Sequence, residues 1–219
     1  MFLHLKSQLL KIIQILKGPV YRNSLIIKAI TFTFFIMLLS AMIFTIAIFY
    51  VAPELSDNLS SLTKSMFDYE DVPSPFTGDF LSYIFLNNSG HYWNPIRMLV
   101  WIPVLGPLLL MFEIILNSGV IGVISVIIGI DNGIAYPIIG LVPHGIIEIP
   151  AFLLQLSSII LWQVIITETI LAKLRSRHIE KDKINQSLSD TLILAVNSIV
   201  LLFIAAVIET YVTPYLLGI

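Results

Sequence analysis

The stretch that decides the fold is Leu25–Val51, which reads LIIKAITFTFFIMLLSAMIFTIAIFYV and contains one charged residue, Lys28, near its start. A helix needs about 20 apolar residues to cross the hydrocarbon core of a bilayer, so we predict a transmembrane helix here. The whole chain agrees, because 57% of its 219 residues are hydrophobic and only 12% are charged, with a mean hydropathy of +0.93. These values lie outside the range of soluble proteins and indicate an integral membrane protein.

The segment before this helix, residues 1–22, has the pattern of an amphipathic helix on the cytoplasmic face of the membrane. Wound at about 100° per residue, it has a polar arc opposite an arc of leucine and isoleucine. The polar arc contains His4, Lys6, Ser7, Gln8, Lys11, Gln14 and Lys17. A secretory signal peptide is the competing interpretation, but lysines interrupt what would be its apolar centre.

The segment after the helix is acidic, whereas the segment before it is basic. Pro53–Asp79 contains six carboxylates against the single Lys64, and Lys6–Lys28 contains five basic residues. Because an excess of positive charge marks the cytoplasmic side of a membrane protein, we expect a cytoplasmic N-terminus. Residues 52–92 are then an extracytoplasmic loop.

The rest of the chain predicts an all-α polytopic transmembrane bundle with about five spanning helices, in a single transmembrane domain of residues 1–219. Residues 131–145 are expected to be a re-entrant or broken element, because a turn signal is followed by only nine apolar residues before Pro143. The basic residues of 175–188 predict a cytoplasmic loop and an extracytoplasmic C-terminus. The other predicted segments are a short irregular inward helix over 93–105, an outward helix over 107–130, and spans over 146–174 and 191–217.

Small residues lie along one face of the predicted 107–130 helix. At helical spacing, Ser118, Gly122, Ser125 and Gly129 share an arc of about 60°. Small side chains let another helix backbone approach closely, which favours association of helices in lipid. The face predicts packing within the chain, with the seam of a homodimer as the alternative.

The main candidate site lies in the stretch that begins Pro143-His144-Gly145 and continues to Glu148. His144 and Glu148 are four residues apart and share a helix face, which Gln155 continues. A carboxylate inside a membrane costs several kcal/mol unless it is paired or protonated, and His144 is the nearest candidate partner. Glu113 and Asn117 form a second polar pair with the same spacing on the preceding helix.

Three roles are open for these polar residues. They could satisfy one another as structural parts of the fold, hold a divalent metal through histidine nitrogen and carboxylate oxygen, or relay a proton. The candidate metal ligands are His144 and Glu148. No other cofactor is expected.

Several function classes are disfavoured by what the sequence lacks. The chain has no cysteine, which removes disulfides, thiolate metal sites and cysteine nucleophiles. It has no HExxH, GxSxG or P-loop motif, so we predict no enzymatic activity. A net charge of −2 and the lack of a contiguous basic segment argue against nucleic acid as a partner. We expect Glu168 and Glu209, near predicted helix ends, to be solvated, and His91 to lie in an interfacial aromatic belt.

Two motifs give the chain a family resemblance that covers about Phe85–Trp162. The segment Asn117-Ser118-Gly119-x-x-Gly122, followed by Pro143-His144-Gly145-x-x-Glu148-x-Pro150-Ala151, resembles the hallmark of the stage II sporulation protein M family of membrane proteins. Ser118 stands where the family has its first glycine, and Val142 where it has leucine. Phe85-Leu86-Asn87-Asn88 is similar to the family's Asn-containing segment.

The resemblance implies that His144 and Glu148 are the family's signature pair and Asn117 its signature asparagine. It also implies a non-enzymatic membrane scaffold or assembly protein of the cell envelope. Its partners would be the lipid bilayer, other membrane or envelope proteins and, as one option, a second copy in a homodimer. The alternative function is a transporter or permease subunit that uses an intramembrane His/Glu/Asn site for an ion or proton.

Overall fold

The computed structural model describes residues 14–67 and 72–218, and these residues form helices and connecting turns with no strand. The predicted all-α class is confirmed. Residues 14–22 are helical, and the rest of the predicted amphipathic helix lies outside the described residues. The elements are α1 Ser24–Val51, α2 Pro53–Phe67, α3 Gly78–Asn88, α4 Leu105–Asn132, α5 Ala135–Leu174, α6 Lys181–Val207 and α7 Thr213–Leu217, with 3₁₀ helices Gly90–Tyr92 and Arg97–Trp101 and a π-helix Ile208–Val212.

Four helices of the described chain are long and apolar enough to cross a membrane. They are Ser24–Val51, Leu105–Asn132, Ala135–Leu174 and the run Lys181–Leu217, which joins α6, the π-helix and α7. This number is roughly consistent with the five predicted spans. The chain is therefore a membrane protein with several transmembrane helices.

The structure differs from the sequence prediction at residues 131–145. Gly133, with a φ of 87°, makes the turn after α4, and Ala135 then begins a helix of 40 residues instead of a re-entrant element. Pro137 lies in the first turn, where no backbone N–H is needed. Pro143 and Pro150 lie further inside, and membrane helices tolerate internal proline where neighbouring groups satisfy the freed backbone. The prediction of a helix that starts near Pro143 was wrong, because one continuous helix runs through this residue.

The interrupted part of the chain is Gly78–Trp101. It consists of α3, with 11 residues, and the two 3₁₀ helices of three and five residues. The predicted inward helix over 93–105 is thus mostly irregular. Val104 follows it with a φ of 78°, a left-handed conformation that a β-branched residue rarely adopts.

The chain divides into two compact units. The first unit comprises residues up to Thr31, Gly90–Leu110 and Ile149–Leu201, and the second comprises Phe32–Ser89, Met111–Glu148 and the residues from Leu202 onward.

In the first unit, side chains support the irregular backbone around the 3₁₀ helices. The indole N–H of Trp101 donates to the His91 carbonyl at 2.8 Å, and that of Trp162 donates to the Trp101 carbonyl at 3.0 Å. The Gln163 amide donates to the Val100 carbonyl at 2.5 Å. These donors satisfy carbonyls that a regular helix would have satisfied internally.

The first unit also holds a carboxylate that is almost fully buried, Asp190, with 3% of its surface exposed. Arg22 donates to it from Nε at 3.0 Å and from Nη2 at 2.5 Å, and the amides of Asn23 and Gln186 each donate at 2.9 Å. The hydrogen bond to Asp190 raises the pKa of the Arg22 guanidinium. Four donors thus compensate one buried charge.

In the second unit, α4 packs against α1 at Gly122, one of the residues of the small-residue face. A Cβ added at Gly122 would lie 2.8 Å from the Leu38 carbonyl oxygen and 3.0 Å from the Ala41 Cβ, closer than packed atoms tolerate. Ser118 is fully buried, and its hydroxyl donates to the Ile114 carbonyl at 2.5 Å. Gly122 therefore lets two helix backbones of the same chain meet, as the internal-packing interpretation expects.

Candidate functional site

His144 and Glu148 lie one turn apart on α5 in the second unit. Nε2 of His144 is 3.7 Å from Oε2 of Glu148, a distance beyond the range of a hydrogen bond. His144 is buried, with 7% of its surface exposed, whereas the Glu148 side chain is 28% exposed. The helical spacing brings the two groups to one place without joining them directly.

Glu209 reaches the same place from the π-helix Ile208–Val212. One ligand atom from each of His144, Glu148 and Glu209 lies within 4.8 Å of the other two. We call these three residues the His–Glu–Glu cluster. A π turn inserts an extra residue into a helix and changes the direction of its side chains, and such turns are common at functional sites.

The cause of the π turn can be read from the sequence. Pro214 has no N–H to donate to the Thr210 carbonyl, as an α-helix would require. The backbone N–H of Phe76 donates to that carbonyl instead, at 3.2 Å. Because Glu209 lies with His144 and Glu148, the expectation that it is a solvated helix-end residue is wrong. Pro214 is the sequence signal that could have corrected this expectation.

Two further side chains hold the cluster from outside. Nδ1 of His144 lies 3.2 Å from the Thr213 hydroxyl, and the Asn88 amide donates to Oε1 of Glu148 at 2.9 Å. The contact with Thr213 uses Nδ1 of His144, and the contact with Asn88 uses Oε1 of Glu148. The remaining two atoms, Nε2 of His144 and Oε2 of Glu148, face each other. Asn88 entered the sequence analysis only through the family resemblance, and Thr213 did not enter it.

The sequence profile of the stage II sporulation protein M family matches residues 29–214 of the chain. The chain belongs to the stage II sporulation protein M family. The match runs from α1 into α7, well beyond the Phe85–Trp162 segment that carries the resemblance, and it includes every residue of the His–Glu–Glu cluster. No curated protein and no solved structure matches the chain.

The second predicted pair, Glu113 and Asn117, forms hydrogen bonds within its own helix. The Asn117 amide donates to the Glu113 carbonyl at 2.8 Å and to its carboxylate at 3.1 Å. Asn117 thus bonds along α4 to Glu113, the residue with which the helical spacing pairs it.

Gln155, predicted to support His144 and Glu148, has a different partner in the first unit. Its Oε1 lies 3.1 Å from Nδ1 of His91, and both side chains are fully buried. His91 is therefore buried within the first unit. Its burial follows from the irregular backbone of residues 90–101, which helical periodicity does not predict.

The His–Glu–Glu cluster has limited chemical options. Two carboxylates that approach this closely repel each other unless a proton or a cation lies between them. One imidazole nitrogen and two carboxylate oxygens are suitable ligands for a divalent metal, and they can also pass a proton. The cluster contains no hydroxyl or thiol nucleophile in its facing positions.

Proposed function

We propose that this membrane protein is a non-enzymatic scaffold or assembly protein of the cell envelope. The observation that supports this function is the continuation of α1 into a polar helix, α2. Across the junction, the Ala52 N–H donates to the Ile48 carbonyl at 2.9 Å and the Ser56 N–H donates to the Ala52 carbonyl at 3.1 Å. At about 1.5 Å per residue, α2 extends the helical path roughly 22 Å beyond the last apolar residue of α1.

The surface of α2 suits contact with another protein. Glu54 and Asp57 are exposed, and Leu55 between them is 52% exposed. A mixed acidic and apolar surface next to a membrane helix fits a protein partner better than it fits lipid. In the proposed topology, α2 and the C-terminus are extracytoplasmic, and the N-terminus and residues 175–188 are cytoplasmic. This arrangement needs an odd number of crossings, so it includes a crossing by the interrupted segment Gly78–Trp101 in addition to the four long helices.

Site-specific photo-crosslinking in native membranes tests this function. A photoreactive residue at Leu55 should give discrete protein adducts. The same residue at Phe44, which is 68% exposed on the apolar part of α1, should give mainly lipid adducts and is the matched control. Lipid adducts alone at both positions, together with purification of the protein without self-association or partner, would refute the scaffold.

The topology has its own test, because the natural chain contains no cysteine. A membrane-impermeant maleimide should label Asp57→Cys in intact cells and should label Arg177→Cys only after the cells are opened. The reverse pattern would invert the proposed orientation.

Transport of an ion or proton is the second candidate function, and the His–Glu–Glu cluster favours it, since ionisable groups among membrane helices often mark transport pathways. Proteoliposomes loaded with pH-sensitive or metal-sensitive dye should then show flux that His144→Ala abolishes. Flux equal to that of empty liposomes would remove this candidate.

A further inference from the structure

We propose that His144, Glu148 and Glu209 bind one divalent first-row transition metal ion. Asn88 and Thr213 orient the side chains of Glu148 and His144 for this role. This inference goes beyond both proposed functions and depends on neither, because a bound metal would stabilise a scaffold as well as a transporter.

The distances in the cluster fit ligands of one metal better than they fit a hydrogen-bonded pair. The 3.7 Å between Nε2 of His144 and Oε2 of Glu148 exceeds a hydrogen bond. Two ligands of a tetrahedral zinc ion, each about 2.0–2.1 Å from the metal, lie roughly 3.4 Å apart. The ligand atoms of the cluster lie at most 4.8 Å apart, so the widest pair would have to approach by at most about 1.4 Å to meet such a geometry. Rotation of the Glu209 side chain can supply that movement.

The negative charges of the two carboxylates in the cluster favour binding of a cation. The sequence has no lysine or arginine between Arg97 and Lys173 or after Lys183. The part of α5 near the cluster and the π-helix that carries Glu209 therefore offer no positive side chain. Among the described residues, no lysine or arginine forms an ion pair with Glu148 or Glu209. A divalent ion would neutralise both carboxylates at once.

The outer contacts are those expected of a metal site. Metal-binding histidines usually donate the N–H of the second ring nitrogen to a fixed acceptor, which orients the ring. Here the Thr213 hydroxyl lies 3.2 Å from Nδ1 of His144 and leaves Nε2 for the ion. The Asn88 amide, 2.9 Å from Oε1 of Glu148, leaves Oε2 for the ion in the same way.

The first test is the metal content of the full-length protein, purified in detergent through a tag without histidine. Elemental analysis of the wild type should find about one first-row transition metal per chain. Glu209→Gln should lose it while the far-UV circular dichroism stays unchanged. The matched control is Glu168→Gln, because that carboxylate pairs with Lys183 at 2.6 Å away from the cluster, and this variant should keep the metal.

The second test uses the wild type first and so does not depend on a variant that folds. Removal of the metal by chelation should lower the melting temperature, and Zn²⁺ should restore it. Co²⁺ added to the metal-free protein should produce visible absorption bands of a coordinated ion. Thr213→Val should weaken Co²⁺ binding by about 10- to 100-fold, and Thr210→Val should leave it unchanged.

Three results would overturn the site. They are wild-type protein without metal that also gives no Co²⁺ spectrum, Glu209→Gln that keeps the full metal content, and equal effects of the two threonine variants on Co²⁺ affinity. A failure of the crosslinking or flux experiments is a different result, because it would not change the metal content of the protein.

Discussion

Two buried histidines, one in each unit, show how differently the same side chain can be used. Nδ1 of His91 lies 3.1 Å from the Gln155 amide oxygen, and Nδ1 of His144 lies 3.2 Å from the Thr213 hydroxyl. The two histidines differ in the side chains that lie beside the other atoms of the ring. His91 lies beside the Phe152 ring, with 6.5 Å between the ring centroids, whereas His144 faces the two carboxylates of the cluster. The His91 side chain is thus part of the packing of the first unit, whereas the His144 side chain lies beside two ionisable carboxyl groups.

The largest effect should come from His91→Ala. The side chain is fully buried, so its removal should leave a cavity and lower the free energy of unfolding by about 2–4 kcal/mol. His144→Ala in metal-free protein should cost about 1 kcal/mol, the value of one hydrogen bond, since water can reach the partly exposed Glu148 beside it. Chemical unfolding in detergent measures both. Equal losses would break the comparison between the two histidines.

The next effect should separate two substitutions of Glu148 in metal-free protein. Glu148→Gln keeps an oxygen that can accept from Asn88, so most of the stability should remain. Glu148→Leu removes the acceptor of Asn88 and the polar neighbour of His144, and should cost about 1–3 kcal/mol. The same unfolding assay distinguishes them. A leucine variant as stable as the glutamine variant would show that His144 needs no polar neighbour.

The smallest effect should come from two threonines one turn apart. Thr213→Val should cost about 0.5–1.5 kcal/mol, because His144 loses a hydrogen bond. Thr210→Val should cost nothing or stabilise slightly, because the buried Thr210 hydroxyl has no hydrogen-bond partner among the described residues. Melting temperatures of the two variants in one detergent give the comparison. A greater loss at Thr210 would contradict the assigned role of Thr213.

Features that depend on local periodicity were predictable from the sequence. The first spanning helix was expected at Leu25–Val51 and is found at Ser24–Val51, because a long apolar run has few alternatives in lipid. The placement of His144 and Glu148 on one face follows from the helical repeat alone. The sequence predicted irregular structure from residue 93 but not the two 3₁₀ helices of Gly90–Tyr92 and Arg97–Trp101, because this backbone depends on support from distant side chains such as Trp162 and Gln163.

The third member of the cluster shows the limit of sequence reasoning at the site. Glu209 comes from a segment 61 residues beyond Glu148 in the chain, and its direction depends on a π turn. Periodicity calculated for an α-helix gives the wrong side-chain direction there. The spacing correctly paired Asn117 with Glu113, whereas Gln155, which continues the face of His144 and Glu148, has its partner in His91 of the irregular segment.

The length of α5 has a consequence for lipid. Its 40 residues span about 60 Å, twice the roughly 30 Å hydrocarbon thickness of a bilayer. Even a tilt of about 40°, the upper end of the usual range, leaves about 16 Å of excess. His144 lies nine residues from the start of this helix, about 14 Å along its axis. If the excess is shared by both ends, hydrophobic mismatch places His144 just below the headgroup boundary. Membrane thickness thereby becomes a variable that sets how much water and which ions reach its imidazole.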